Sequence, residues 1–281
     1  MDFFKGKKAV IATKHHKEKV ISPILKNNLG LDSFLADKLD TNKFGTFTRT
    51  KKRIRTQLQT AISKAKAAIK LTGAEIAIAS EGSFSDSSGS LFLQRNLELV
   101  LLYCPSKNLI VTGVHSAFSP QLRGEFASSV TEALDIVSDF NFPNFGIVLR
   151  SNPNSFKILT EEITSINELK TYLEQYFSKK RNKQIFIETD MRAHRNPARM
   201  QNIEAATNDL LQKLLTNCPK CSLPGFGTTN YQGGLPCQIC HTPTSLKMYH
   251  IKSCSACQHT QTELINPDQK ADPTYCKFCN P

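Results

Sequence analysis

The chain has no run of about 18 apolar residues, so no segment of it is long enough to span a bilayer as a helix. Its first residues also lack the long apolar core and cleavage site of a secretory signal, and the expected location is cytoplasmic, with no membrane partner. That compartment argues against a disulfide framework. Low-complexity segments are missing, and so are internal repeats apart from the cysteine pairs described below. Three catalytic or nucleotide signatures are absent as well: the Gly-x-x-x-x-Gly-Lys phosphate loop, the Gly-x-Gly-x-x-Gly dinucleotide fingerprint and the Gly-x-Ser-x-Gly hydrolase elbow. Any chemistry has to come from some other arrangement.

What is present is most distinctive near the carboxyl end. Eight of nine cysteines form four Cys-x-x-Cys pairs, Cys218/Cys221, Cys237/Cys240, Cys254/Cys257 and Cys276/Cys279. Two intervening residues let one tight turn aim both sulfurs at a single ion, and two such turns complete a tetrahedral four-thiolate shell. Pro219, Pro236, Gly225, Gly227, Gly233 and Gly234 supply turn chemistry around them. Two structural zinc ions are expected. The spacings, with 15 and 18 residues between successive pairs, favour sequential pairing, first with second and third with fourth; the alternative is an interleaved cross-brace. A closed four-thiolate shell leaves no position for substrate, so this zinc is not read as catalytic. Cys104, which ends an apolar run, reads as a small buried hydrophobe.

A length of 281 residues suggests about two domains: an α/β domain over 1–215 and a double zinc ribbon over 216–281. Apolar runs at 9–12, 74–79, 97–103, 109–114, 146–149 and 184–187 read as strands. Helical periodicity covers 18–29, 50–72, 129–140, 166–178 and 197–215. This alternation predicts a mixed, largely parallel sheet with flanking helices and a hairpin over 97–114. The charge is lopsided. Residues 1–70 hold 17 Lys/Arg against 5 Asp/Glu, whereas 71–281 hold 19 of each, so the whole net charge of +12 lies in the first quarter. In the helix expected over 50–72, Ile54, Leu58, Ala61, Ile62, Ala65 and Ile69 form the apolar stripe. Lys51, Lys52, Arg53, Arg55, Lys64, Lys66 and Lys70 fall mostly outside it, as a solvated face or one that meets phosphates. Aromatic residues of the kind that stack bases are absent there.

Five apolar runs hand over to reactive side chains at their carboxyl ends, the position where open α/β sheets bind ligands. These are Lys14-His15-His16-Lys17, Ser80-Glu81-Gly82-Ser83, His115-Ser116, Arg150-Ser151-Asn152 and the dense stretch from Glu188 to Asn196. Glu188 and Asp190 flank Thr189 and are candidates to hold Mg or Mn, or to divide acid and base work. Asn196-Pro197 reads as a helix start that aims free N–H groups at an anion, reinforced by Arg192, Arg195 and Arg199. Candidate catalytic residues are therefore Glu188, Asp190, His194, Glu81 and His115; candidate substrate-binding residues are Arg150, Arg192, Arg199, Lys14 and Asn196. Asp40 is a second-rank metal candidate in the polar turn 40–48.

These motifs together resemble a family. Lys8-Ala-Val-Ile-Ala-Thr, Asp40-Thr with Phe44-Gly-Thr-Phe-Thr, Ala79-Ser-Glu-Gly-Ser-Phe, Glu188-Thr-Asp-Met-Arg-Ala-His with Asn196-Pro and Arg199-Met, and the four cysteine pairs resemble a bacterial family known only as a domain of unknown function. The resemblance covers nearly the whole chain and implies an architecture and a site, with no reaction. This chain departs from the family at Asn42, where an acid is usual, and at Ser85-Asp86-Ser87, where Gly-Pro-His is usual. Two functions are expected in competition. One is an enzyme acting on a phosphorylated or nucleotide-like anionic small molecule; the other is a zinc-ribbon nucleic-acid-binding protein without catalysis, consistent with a pI near 9.3.

Overall fold

In a computed structural model of the chain, the described residues are 3–45, 51, 53–86, 94–119, 123–154, 157–179 and 184–281. Lys52, residues 46–48 of the polar turn and residues 87–90 of the serine-rich stretch lie outside them. The chain starts with β1 (Lys8–Ala12), α1 (Glu18–Leu29), β2 (Asp32–Leu35), α2 (Gln57–Thr72) and β3 (Ile76–Asp86). β1 pairs in parallel with both β2 and β3. Side chains alternate along β1, so Ala9 and Ile11 join Ile21 and Leu25 of α1 in one core, while Val10 and Ala12 join Ala61, Ala65 and Ala68 of α2 in the other. The two crossover helices thus cover opposite faces.

Helix α2 begins at Gln57, where Thr56 and Gln59 form a reciprocal capping box, and it ends on Gly73 at φ 72°. The periodic stripe expected to be buried is only partly so. Leu58 is 42% exposed and Ile54, which lies before the helix, is 94% exposed; the buried face is Thr60, Ala61, Lys64, Ala65 and Ala68. Gln57 sets this rotation by donating to the carbonyls of Glu81 at 2.6 Å and Leu97 at 2.9 Å, and three alanines let the helix lie close on the sheet.

β4 (Gln94–Cys104) and β5 (Leu109–Phe118) complete a five-stranded sheet in the order β2-β1-β3-β4-β5. The expected hairpin is the β4–β5 pair, closed by a short turn at Pro105–Lys107 and by Asn108 in the left-handed region. Parallel pairing stops at β3, because so short a connection permits only antiparallel partners. A second sheet, β6-β9-β7-β8, is antiparallel throughout: β6 (Gly124–Ala127), β7 (Ile147–Arg150), β8 (Ile158–Thr160) and β9 (Ile185–Thr189). α3 (Val130–Asp139) and α4 (Ile166–Ser178) close its core around Val137, Leu149, Leu169 and Ile187. The fold is therefore α/β with a mixed sheet, and its parallel share is smaller than the alternation of elements suggested.

α5 (Pro197–Leu214) crosses behind β4 and β5, packing Ile203, Ala206 and Leu210 against Val100 and Leu102. Gly113 on β5 is required here, since a Cβ would meet the Leu210 side chain at 2.6 Å. Past α5 the chain forms an antiparallel sheet of β10 (Gly227–Gly233), β11 (Lys247–Ser253) and β12 (Thr260–Leu264). This tail is anchored on β5. Ile110 N donates to Ser255 Oγ at 2.9 Å, and Ala256 packs on the core of α1 and α5. No helix among the described residues is long and apolar enough to cross a membrane.

Candidate functional site

The strand order reverses at β1. From β1 the chain crosses by α1 to β2 on one side, then returns by α2 past β1 to β3 on the other, so the crevice position of an open α/β sheet falls beyond the carboxyl ends of β1 and β3. β1 stops at Ala12 opposite Ala79, whereas β3 and β4 run on as a ladder from Ser80 to Asp86 and wall one side. The stretch beginning at Ser80, expected to follow the strand over 74–79, is itself strand through Asp86.

Three charged side chains from three elements are buried there: Lys17 at the start of α1, Glu98 on β4 and Arg199 on α5, at 5%, 0% and 1% exposure. Arg199 Nε and Nη2 each lie 2.7 Å from Glu98 Oε1, and Asn96 Nδ2 donates to the same oxygen at 3.0 Å. Arg199 Nη1 also donates to the Met191 carbonyl. Glu98 Oε2 has no hydrogen-bond partner among the described residues. The pair crosses β3 at Gly82, where a Cβ would sit 2.6 and 2.8 Å from the two carboxylate oxygens. Glycine is needed for this close approach. On the other face of β3, Glu81 takes Lys64 of α2 and, at 3.7 Å, Arg53. Two of the basic residues assigned to an open helix face are thus folded inward.

Electrostatics in the crevice favour neutral bases. Burial, opposed by Glu98 and reinforced by Arg199 and Lys64, lowers the Lys17 pKa to about 8. His15, on the same loop, is pushed down to about 3 by burial first and by the Lys17 charge second. Its ring stacks on His194 with centroids 5.0 Å apart, and His16 meets His194 edge-on at 5.7 Å. Burial and then Arg192 lower His194 too, and its Nδ1 has no hydrogen-bond partner among the described residues. Burial opposes ionisation of Glu98, but Arg199 and Lys17 outweigh it and hold the carboxyl below the usual range.

The other residues singled out in the sequence are placed differently. Both oxygens of buried Asp190 are taken by Arg192, with Nε at 2.9 Å and Nη2 at 2.7 Å from Oδ2 and the backbone N–H at 2.9 Å from Oδ1. Arg192 reaches on to Glu161 and Glu162 at 3.3 and 3.1 Å. Glu188 pairs with fully buried Arg150 at 2.6 Å, diagonally across β9 and β7. Asn196 caps α5, accepting from Arg199 N at 3.0 Å, with Pro197 at the first helical position. Lys14 is tied to Asp40 at 2.7 Å, and Asp40 also caps the short turn at Thr41–Phe44. His115 lies opposite Glu98 in the β4–β5 register and is half-buried. Arg199 and His194 thus belong to the crevice wall, and Glu81 faces the sheet's other side.

Glu98 was not among the residues singled out in the sequence, and Lys17 stood there only within the run Lys14-His15-His16-Lys17. For Glu98 the signal was in the sequence, an acid set alone within the apolar run Leu97–Cys104 that the fold buries.

The cysteines form two groups of four: Cys218, Cys221, Cys254 and Cys257, and Cys237, Cys240, Cys276 and Cys279. This overturns the sequential pairing favoured by the spacings. Strand register is the physical reason. Gly227 pairs with Ser253, so the turn before β10 lies beside the turn after β11; the second cysteine turn sits in the β10–β11 connection at the opposite end, to which β12 carries the fourth. A parallel bridge from Cys237 to Ala271 fixes that approach. Sγ–Sγ distances are 3.7, 3.7, 3.9 and 3.6 Å for Cys218–Cys257, Cys221–Cys254, Cys237–Cys279 and Cys240–Cys276. A disulfide needs about 2.05 Å, while four sulfurs at about 2.3 Å from one ion stand about 3.8 Å apart. The groups can hold two metal ions and are compatible with zinc ribbons.

No curated protein matches the chain. A family model does match, and the span it covers begins at Lys64 and takes in Glu81, Glu98, Arg199 and all eight paired cysteines. With residues 64–281 matched, the chain belongs to the family described as Domain of unknown function (DUF6671).

Proposed function

We propose that the chain is an enzyme acting on a phosphorylated or nucleotide-like anionic substrate, bound in the crevice beyond β1 and β3. The observation that carries this reading is the burial of Lys17, Glu98 and Arg199 together at the strand-order reversal. Burying three charges costs several kcal/mol per ion before pairing, and an apolar trio would have filled the space without that cost. Perturbed ionisable groups in a cleft are the pattern expected of a site. On the crevice face Lys17 and Arg199 set two positive charges against Glu98, so an anion offsets the excess.

In this reading the roles move from Glu188 and Asp190, both engaged by guanidinium groups, to Lys17, Glu98 and His15. Mg or Mn then enters with the substrate phosphates, the usual mode for Mg. Zinc is the proposed metal of both cysteine groups, with a structural role in a tail over 216–281 that is separate from the 1–215 domain carrying the crevice. A cytoplasmic, reducing location fits eight thiols held this close.

The nucleic-acid alternative has less support. Lys64 and Arg53 face Glu81 instead of solvent. In the tail five lysines stand against three acids, and each zinc with four thiolates carries a net −2, so the metal-loaded tail is negative overall and repels phosphates.

The test is a thermal-shift screen of wild type and Lys17→Met against sugar phosphates and nucleotides, with and without Mg or Mn. At least one anion should raise the wild-type melting temperature, and the shift should vanish in the variant. Failure of every anion to shift the wild type would overturn the reading.

A further inference from the structure

The polar turn and the basic stretch singled out in the sequence meet at a place the crevice does not use. A cavity of about 310 Å³ is lined by Lys43 and Phe44 from the short turn at Thr41–Phe44, by Lys51, Ile54 and Arg55 ahead of α2, and by Thr60 of α2 itself. It lies on the α2 side of the sheet, whereas Glu98 and Arg199 meet on the side covered by α1 and α5. Its walls are pinned. Arg53, next to Ile54, donates from Nη1 to the Gly82 carbonyl at 2.9 Å and meets Glu81 at 3.7 Å. Gly45, directly after Phe44, has φ 126° and comes so near that a Cβ there would stand 2.9 Å from the Arg53 Cβ. The turn and the segment before α2 are thus held against each other.

The lining selects a ligand with two parts. Three of the six residues are cations and none is an acid, so charge favours an anion. Asp40 in the same turn is taken by Lys14 at 2.7 Å. The wall itself is mainly apolar: Phe44 offers a ring, and Ile54, at 94% exposure, is the most exposed large apolar side chain among the described residues. A lone exposed isoleucine is ordinary, but one that lines a cavity beside an aromatic ring gives a flat ligand something to cover. Lys43 Nζ stands 5.2 Å from the Phe44 ring centroid, which sets charge and ring side by side. A bare phosphate would leave the apolar wall wet, and a neutral ring would leave the cations unanswered. We infer that this cavity is a second ligand site and binds a nucleotide, its base against Phe44 and Ile54 and its phosphates toward Lys43, Lys51 and Arg55. Its volume matches the lower end of small-molecule sites, about 300–1,000 Å³, and suits one nucleotide rather than a strand.

The probe is N-methylanthraniloyl-ADP, titrated by fluorescence into the full, zinc-loaded chain. Binding should saturate. Ile54→Glu replaces an exposed side chain, so it should leave the melting temperature unchanged while weakening binding about tenfold or more, the scale of a lost base contact with charge repulsion added. Lys43→Gln with Arg55→Gln should weaken it to a similar degree. AMP should displace the probe about tenfold more readily than ribose 5-phosphate, which carries the same phosphate without the base. Absence of saturable binding overturns the inference, as does equal affinity of wild type and Ile54→Glu. Equal competition by AMP and ribose 5-phosphate overturns the nucleotide as ligand. Binding that Lys17→Met abolishes and Ile54→Glu leaves intact puts the nucleotide in the crevice, which overturns this pocket while the anion reading stands. A single-stranded RNA that displaces the probe far more tightly than AMP overturns the nucleotide in favour of a nucleic-acid surface.

Discussion

At the scale of single residues, the crevice depends on Gly82. Its missing side chain is what lets the carboxylate of Glu98 and the guanidinium of Arg199 meet over β3, and both groups are too deeply buried to swing into water. Gly82→Ala should force the pair apart and leave charges without full compensation, at a cost of about 3 kcal/mol or more in denaturant unfolding. A loss under about 1 kcal/mol would mean that the pair re-forms around a methyl group and that the close approach is incidental. Glu81 next to it shows how a sequence reading goes astray. The sequence placed it among the candidate catalytic residues, but strand alternation turns it to the α2 face, where Lys64 and Arg53 meet it. That alternation becomes decisive only once the strand is known to run to Asp86.

At the scale of elements, local signals were legible and pairings were not. Helix α1 and helix α4 occupy the spans their periodicity gave, and Asn196-Pro197 opens α5 as its capping chemistry requires. The start of α2 was misjudged because the helical spacing from Ile54 to Leu58 continues into residues that do not form helix, while Thr56 and Gln59 carried the true boundary. β2 and β8 are short and only partly buried, with no alternation long enough to mark them. Metal pairing was hidden for a different reason: spacing along the chain is silent about which turns a three-stranded sheet brings side by side. The cross-brace makes a sharp prediction. With zinc in both groups, Cys218→Ser with Cys254→Ser removes one ion of two, whereas Cys218→Ser with Cys237→Ser removes both. Metal content measured on the two double variants decides it, since sequential pairing predicts the reverse order. Each lost site should also loosen the tail, because structural zinc contributes on the order of 10 kcal/mol.

At the scale of the whole molecule, the site is a product of topology more than of any motif. The reversal at β1 separates the first two strand ends, the long β3–β4 ladder walls the gap, and α5 crosses from the antiparallel sheet to deliver Arg199 against β4. Residues from Lys17 to Arg199 meet there, a separation that no sequence window spans. The net charge of +12, which suggested a nucleic-acid face, is partly taken up by the fold: Lys17 and Lys64 are buried, and half-buried Arg53 faces Glu81. The central claim is therefore one of location, and the most direct measurement is a crystal structure of the full, zinc-loaded chain with a phosphorylated ligand that shifts its melting temperature. The anion should lie beyond the carboxyl ends of β1 and β3, in contact with Lys17. An anion bound only on the outer face of α2 or on the cysteine-rich tail, with that crevice empty, would contradict it.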